Sequence, residues 1–172
     1  MFRTIMYPLL SVLFCVGCAG VPVRNTSPDG SASDSEADKT AARQLIQDVF
    51  DNVWSGTDTS QVRRFHTEDF VILEHGEVWT NDTIRNWQLS QATNKRPDAP
   101  TRLNSFDFFR TEQNGNEIWM AYHNTAHFVN AAKDTVGRFS WLESGVAVRT
   151  DEGWKLRMMH STRMRRPAAS GG

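Results

Sequence analysis

His160 and two glutamates, Glu74 and Glu143, are the residues of this 172-residue chain whose types best suit proton transfer. An imidazole beside a carboxylate in a dry pocket acquires a raised pKa and a fixed orientation, which suits general acid or base catalysis. His160 lies in a run that alternates with charged positions, so we expect one alternating set to face the interior: Trp154, Leu156, Met158, His160 and Thr162. The alternative is a structural His160, hydrogen-bonded to a backbone or hydroxyl group.

A second pair of histidines, His123 and His127, has a spacing that suits zinc when it occurs on a helix. Residues 117–130 are β-type, however, and four residues along a strand span about 13 Å, too far for both imidazoles to reach one ion. No Gly-x-Ser-x-Gly motif and no glycine-rich phosphate loop occurs in the sequence. We therefore expect neither a metal nor a cofactor.

The start of the chain has the pattern of an export signal. Arg3 precedes an apolar run, residues 5–16, which ends in Gly17-Cys18-Ala19 and is too short for a membrane span. This end resembles the lipobox of bacterial lipoproteins, so we expect a signal peptide over 1–17 and a lipid on Cys18; an ordinary cleaved signal is the main alternative. Ala19 in place of Asp favours the periplasmic face of an outer membrane, if the host cell envelope has one.

Composition separates a tether from a domain. Residues 18–38 are rich in Ser, Asp and Gly and have little to bury, so we expect a disordered, membrane-anchored tether. All six tryptophans fall in residues 39–166, which are enough for one domain, and 167–172 form a flexible tail. The net charge of -1 gives no indication of a nucleic-acid partner.

The hydrophobic pattern predicts helices first and strands afterwards. Apolar residues four apart form two adjacent rows over 41–54, which is typical of a helix that packs on a sheet, and Gly56 is a suitable stop. A short helix over 58–66 should follow, and a third helix, capped at 81–83, should carry Ile84, Trp87 and Leu89. The β-type runs are 70–73, 78–79, 102–110, 117–130, 139–150 and 154–164. The fold class is therefore α+β, with helices on one face of a curved, largely antiparallel sheet.

The order of elements over residues 40–164 resembles the nuclear transport factor 2-like superfamily, which includes the SnoaL-like domains. Residues 146–156 resemble the family's penultimate strand, Asp/Gly turn and Gly-Trp entry to the last strand, and Met159-His160-Ser161-Thr162 resembles its closing segment. The resemblance implies a cone-shaped sheet with about three helices on its concave face. It also implies a pocket inside the cone, which members use for small apolar ligands or for isomerase, dehydratase or cyclase chemistry.

Within that pocket we expect a ligand to contact His123, Trp119, Trp154, Met158 and Trp87. This assignment takes the histidine face of strand 117–130 as the pocket wall, because Ala121 can match a small residue of the family. Isomerases of the superfamily carry a tyrosine in the first helix, which this chain lacks, so keto-enol isomerisation is not favoured. We expect a domain that binds a small apolar molecule. The alternatives are an enzyme that uses His160 with Glu74, Glu143 or His123, and a homodimeric envelope protein that pairs through the outer sheet face.

Overall fold

Three helices and a six-stranded sheet make up the part of the chain that the computed structural model describes, residues 32–165. The predicted signal peptide, Cys18 and the tail lie outside the described residues. The elements, in chain order, are α1 (Ala32–Val49), a π-helical turn (Phe50–Trp54), α2 (Ser60–Phe65), β1 (His66–Glu74), β2 (Glu77–Thr80), α3 (Asn81–Asn94), β3 (Thr101–Asn114), β4 (Glu117–Val129), β5 (Thr135–Thr150) and β6 (Gly153–Arg163).

The sheet has the strand order β2-β1-β6-β5-β4-β3. β1 and β6 are parallel, and every other neighbouring pair is antiparallel. The helices pack on the concave face of this mixed sheet, where one hydrophobic core joins both layers. The predicted α+β class is therefore confirmed. No helix of residues 32–165 has the length and apolar character needed to cross a membrane.

Helix α1 buries the two rows that the sequence indicated. Leu45, Ile46, Val49 and Val53 are all buried in the core. The helix ends in the π-helical turn, which Ser55 closes by donating its backbone N–H to the Phe50 carbonyl (2.9 Å). A Cβ on Gly56 would lie 2.2 Å from the backbone oxygen of Asn52, so this position requires glycine.

The start of α1 corrects the predicted tether. The tether prediction covered residues 18–38, but residues 32–38 belong to the helix. Asp38 anchors this extension, since its carboxylate pairs with Arg149 and accepts hydrogen bonds from Gln113 (2.9 Å) and Trp154 (3.4 Å). Composition could not predict this extension, because the contacts that hold Asp38 come from strands far away in the sequence.

Helix α3 is capped at its start, and a polar residue lies on its buried side. Thr80 is the N-cap and accepts from the Thr83 backbone N–H (3.5 Å). Gln88 is fully buried and donates to the Val53 carbonyl (2.9 Å), whereas Leu89 is exposed. Leu89 lies outside the buried side because position 88, four residues after Ile84, continues the helical stripe.

A β-bulge reverses the predicted orientation of the side chains in the second half of β6. Val146 is opposite Met158 and Ala147 is opposite Leu156, so Arg157 is an extra residue in β6. Beyond it the buried side chains are Met159 and Ser161. Met158, His160 and Thr162, which we expected to face the interior, therefore lie on the convex face.

The orientation of β4 also differs from the prediction. Met120, Tyr122, Asn124 and Ala126 are buried on the helix-covered concave face. The histidine face, with Trp119, His123 and His127, lies on the convex side. The sequence could not orient this strand because both faces carry large apolar or aromatic residues.

Candidate functional site

Four polar side chains form a line across the concave face of the sheet, which we call the polar row. Tyr122 of β4 is opposite Glu143 of β5, Glu143 is opposite Ser161 of β6, and Ser161 is opposite Glu74 of β1. Direct cross-strand partners lie on the same face with Cβ atoms about 5 Å apart. The sheet register therefore brings together groups from four strands.

Glu143 is the centre of the polar row and is only 5% exposed. Its carboxylate accepts a hydrogen bond from the Ser161 hydroxyl (2.9 Å) and another from the Asn124 side-chain amide (3.2 Å). The Asn124 amide oxygen accepts in turn from Asn104 (2.6 Å), so Asn124 has a fixed orientation. Burial raises the pKa of Glu143 to about 7, against the lowering effect of these hydrogen bonds.

Tyr122 supplies a hydroxyl that is fully buried next to Glu143. This hydroxyl forms no hydrogen bond of normal geometry with any described residue. Burial raises the pKa of Tyr122 well above its usual value, and the charge of Glu143 raises it further. Tyr122 is therefore protonated, and its O–H donor has the adjacent Glu143 carboxylate as a weak, poorly aligned acceptor among the described residues.

Arg102 and Glu74 complete the charged groups of the site. The Arg102 guanidinium lies 5.4 Å from the Phe50 ring centre and 5.2 Å from that of Trp141, and its Nε donates to Asn104 (3.0 Å). Burial raises the pKa of Glu74, while the charges of His75 and Arg102 oppose this shift. The carboxyl groups of Glu74 and Glu143 therefore lie near aromatic rings and near the Arg102 guanidinium.

A small cavity of about 40 Å³ lies between these groups. Its walls combine three members of the polar row with Arg102 and with large apolar and aromatic side chains: Phe50, Trp54, Ile72, Glu74, Arg102, Trp141, Glu143 and Ser161. Among residues 32–165, no three His, Cys, Asp or Glu side chains are arranged to hold a metal ion. The chemistry available at the cavity wall is proton exchange at Glu143, and the Tyr122 hydroxyl lies behind this carboxyl group.

The structure separates the predicted histidine from its predicted partners. Glu74 and Glu143 line the cavity, but His160 is exposed on the convex face, where its Nε2 lies 3.4 Å from the Thr162 hydroxyl. A cavity mechanism with His160 next to either glutamate is therefore wrong for this arrangement. The reason is the bulge at Arg157, which turns His160 outward and Ser161 inward.

The predicted ligand contacts divide between the two faces. Trp119, His123 and Met158 belong to the convex face, where His123 lies 3.7 Å from Asp107. Trp154 packs near Asp38, away from the polar row. Trp87 is the one that lies beside the cavity, with its ring centre 5.6 Å from that of Trp54.

Sequence reasoning missed most of the polar row and its supports: Arg102, Asn104, Tyr122, Asn124 and Ser161. A signal was present in β4, where Asn124 falls between Tyr122 and Ala126 in an otherwise apolar set. A buried asparagine in such a set indicates a polar partner across the sheet. The partner could not be named without the strand register.

No family model and no curated protein matches this sequence. Solved structures do match it. A nuclear transport factor 2-like superfamily protein from Salmonella enterica serovar Typhimurium superposes with a TM-score of 0.60 at 12% identity, over 80% of this chain and 99% of that one. A protein of unknown function from Mycobacterium tuberculosis gives 0.61 at 16% identity, over 80% and 78%. A ketosteroid isomerase-like protein from Erwinia carotovora gives 0.54 at 16% identity, over 76% and 96%. These likenesses concern architecture, and they establish that the chain has the nuclear transport factor 2-like fold.

Proposed function

We propose that this domain binds a small, largely apolar molecule inside the cone, against the polar row. The observation that carries the proposal is the buried Tyr122 hydroxyl, which makes no well-aligned hydrogen bond with any described residue. Leaving such a group unpaired costs about 1–3 kcal/mol. A ligand oxygen that reaches this hydroxyl would accept the hydrogen bond, while the rings of Phe50, Trp54 and Trp141 would contact its apolar part. Because the cavity of about 40 Å³ is smaller than such a ligand and Tyr122 lies behind its wall, binding requires these rings to move apart.

Ser161 offers a matched pair of variants to test binding, because its side chain lines the cavity. The test uses residues 19–172, which contain every described residue, and the uncharged fluorescent probe N-phenyl-1-naphthylamine. Ser161→Phe fills the cavity, so probe binding should be lost, whereas Ser161→Ala should retain it. Native mass spectrometry of the purified wild-type protein would identify a molecule that remains bound.

Equal probe binding by the wild type and both variants would contradict a site in the cone. Circular dichroism checks that Ser161→Phe is folded. If it is not, Glu74→Phe at the end of β1 blocks the same cavity from a less buried position.

A second function, general acid–base catalysis, is favoured by one specific observation, the Glu143 pKa of about 7. Such a group exists in both protonation states near neutral pH. Glu143 would take a proton from carbon, and Tyr122 would donate a hydrogen bond to the enolate oxygen that forms. This arrangement replaces His160 with Glu143 in an isomerase, dehydratase or cyclase reaction.

The catalytic proposal can be tested with 3-cyclohexen-1-one, whose conversion to the conjugated 2-cyclohexen-1-one is followed by ultraviolet absorbance. The wild-type protein should accelerate the conversion, and Glu143→Gln should reduce the rate by about 100-fold or more. His160→Ala should leave it unchanged. A rate equal to that of buffer alone for the wild type would remove the support for proton transfer from carbon.

We also propose that two copies of the domain pair through the convex face. Three large apolar side chains from neighbouring strands are exposed there: Phe109, Trp119 and Leu142. Trp119→Glu should convert a dimer into a monomer in light scattering, whereas Leu89→Glu, on exposed α3, should not. A wild-type monomer at high concentration would contradict the pairing.

Export and lipid anchoring remain proposals that the sequence around Cys18 supports. In a bacterial host, metabolic labelling with an alkyne fatty acid should mark the wild-type protein, and Cys18→Ala should abolish the label. A wild-type protein without label would instead favour an ordinary cleaved signal.

A further inference from the structure

A broad groove with a basic lining lies beyond the end of β6. It has a volume of about 1120 Å³ and follows the part of β5 that extends past its pairing with β6. Three arginines line it, Arg138, Arg163 and Arg165, and none of its lining residues is an aspartate or glutamate. A groove with this charge attracts anions.

The groove is adjacent to the small cavity at the polar row. In three segments of the chain, one residue lines the cavity and a residue one or two positions away lines the groove. Glu74, the last residue of β1, lines the cavity, and His75 in the turn that follows lines the groove. In β6, Ser161 lines the cavity and Arg163, two residues later, lines the groove. Two residues of a strand span about 7 Å, so a molecule of the size of two fused rings can reach both.

A third connection is provided by β5, where Trp141 lines the cavity and Phe139 lines the groove. Their ring centres are 6.3 Å apart, which makes a continuous aromatic wall. The Arg163 guanidinium lies over the Phe139 ring, 4.2 Å from its centre. The apolar wall and the cation are thus adjacent at the entrance.

Resting on the proposed binding function, we propose that the ligand is an apolar organic acid, a carboxylate or sulfonate. Its anionic group binds Arg163 and Arg165 in the groove, and its apolar part reaches the polar row. Among the described residues neither arginine has an ion-pair partner. The negative charge belongs at the entrance, since two glutamates, Glu74 and Glu143, lie deeper in the site.

Two fluorescent probes with the same aromatic frame isolate the role of the charge. 1-Anilinonaphthalene-8-sulfonate is anionic, and N-phenyl-1-naphthylamine is the same molecule without the sulfonate. In residues 19–172, Arg163→Gln should weaken binding of the anionic probe about three- to tenfold and leave the uncharged probe unchanged. The double variant with Arg165→Gln should weaken the anionic probe further.

Arg96→Gln is the matched control, because it removes an arginine from an exposed loop outside the groove. It should change neither probe. Raising the salt concentration to 0.5 M should also weaken the anionic probe selectively, since exposed charges are screened. If Arg163→Gln does not fold, Arg165→Gln alone provides the comparison.

The outcomes separate this inference from the function on which it rests. If both probes bind and Arg163→Gln affects neither, the anion site is overturned and binding in the cone stands. If neither probe binds the wild type, binding in the cone fails as well. Arginine-dependent binding to phosphatidylglycerol vesicles, without probe selectivity, would overturn the small-molecule ligand in favour of a membrane surface.

Discussion

The concave and convex faces of the same sheet have opposite chemical characters, although their residues alternate along the same strands. In β4, Tyr122 is fully buried beside Glu143, whereas the next residue, His123, is exposed. In β6, Ser161 donates to Glu143, whereas His160 faces outward. The surroundings of a side chain, more than its residue type, therefore decide whether it can take part in proton transfer or hydrogen bonding inside the cone.

The largest contrast between the faces should be in stability. Tyr122→Ala opens a cavity in the core and should lower the free energy of unfolding by about 3–5 kcal/mol. His123→Ala, its neighbour on the convex face, should change it by no more than about 0.5 kcal/mol. Urea denaturation measures both, and similar losses would show that the convex face is also covered.

The free energy of unfolding should also depend on pH. Two buried groups, Glu143 and His66, should change it in opposite directions as pH rises. Folding raises the pKa of Glu143 from 4.5 to about 7, so its contribution to stability is present below pH 4.5 and is lost as pH rises towards 7. Folding lowers the pKa of His66 from 6.5 to about 4, so its contribution is present above pH 6.5 and is lost as pH falls towards 4. The two effects largely cancel between pH 4.5 and 6.5.

Glu143→Gln should remove the contribution of Glu143 to this pH dependence and leave that of His66. Relative to the wild type, the variant should gain on the order of 2–3 kcal/mol as pH rises from 4.5 to 8, because it never carries the buried charge. Chemical denaturation at a series of pH values measures the difference, in which all other groups cancel. A constant difference across this range would mean that Glu143 titrates normally and would weaken the catalytic proposal.

The fold could be predicted from periodicity because burial of an apolar face decides it. The apolar rows over 41–54 and the order of helices and strands could both be predicted from the sequence. The site could not be predicted in the same way, because one extra residue, Arg157, changes which side of β6 faces the cone. Nothing in the sequence marks this bulge, and alternation therefore selected His160 in place of Ser161.

A smaller change in stability tests whether the Tyr122 hydroxyl on the concave face lowers the free energy of unfolding. Tyr122→Phe removes a buried hydroxyl that makes no well-aligned hydrogen bond with any described residue, so thermal unfolding should show a gain of about 1 kcal/mol. The same variant should bind a ligand oxygen less well and should slow any enolate chemistry at Glu143. A loss of stability would instead indicate that the hydroxyl is satisfied, for example by buried water.

The smallest effect on stability and binding is expected at His160, the residue that the sequence indicated as a general acid or base. His160→Ala should change the free energy of unfolding by no more than about 0.5 kcal/mol and should leave binding of N-phenyl-1-naphthylamine unchanged. Ser161→Ala, one residue later, removes a hydrogen bond that lowers the Glu143 pKa, so this pKa should rise above about 7. Infrared titration of the carboxyl group measures the shift. If His160→Ala moved the Glu143 pKa and Ser161→Ala did not, the inward and outward positions of β6 would have to be exchanged, and the bulge at Arg157 with them.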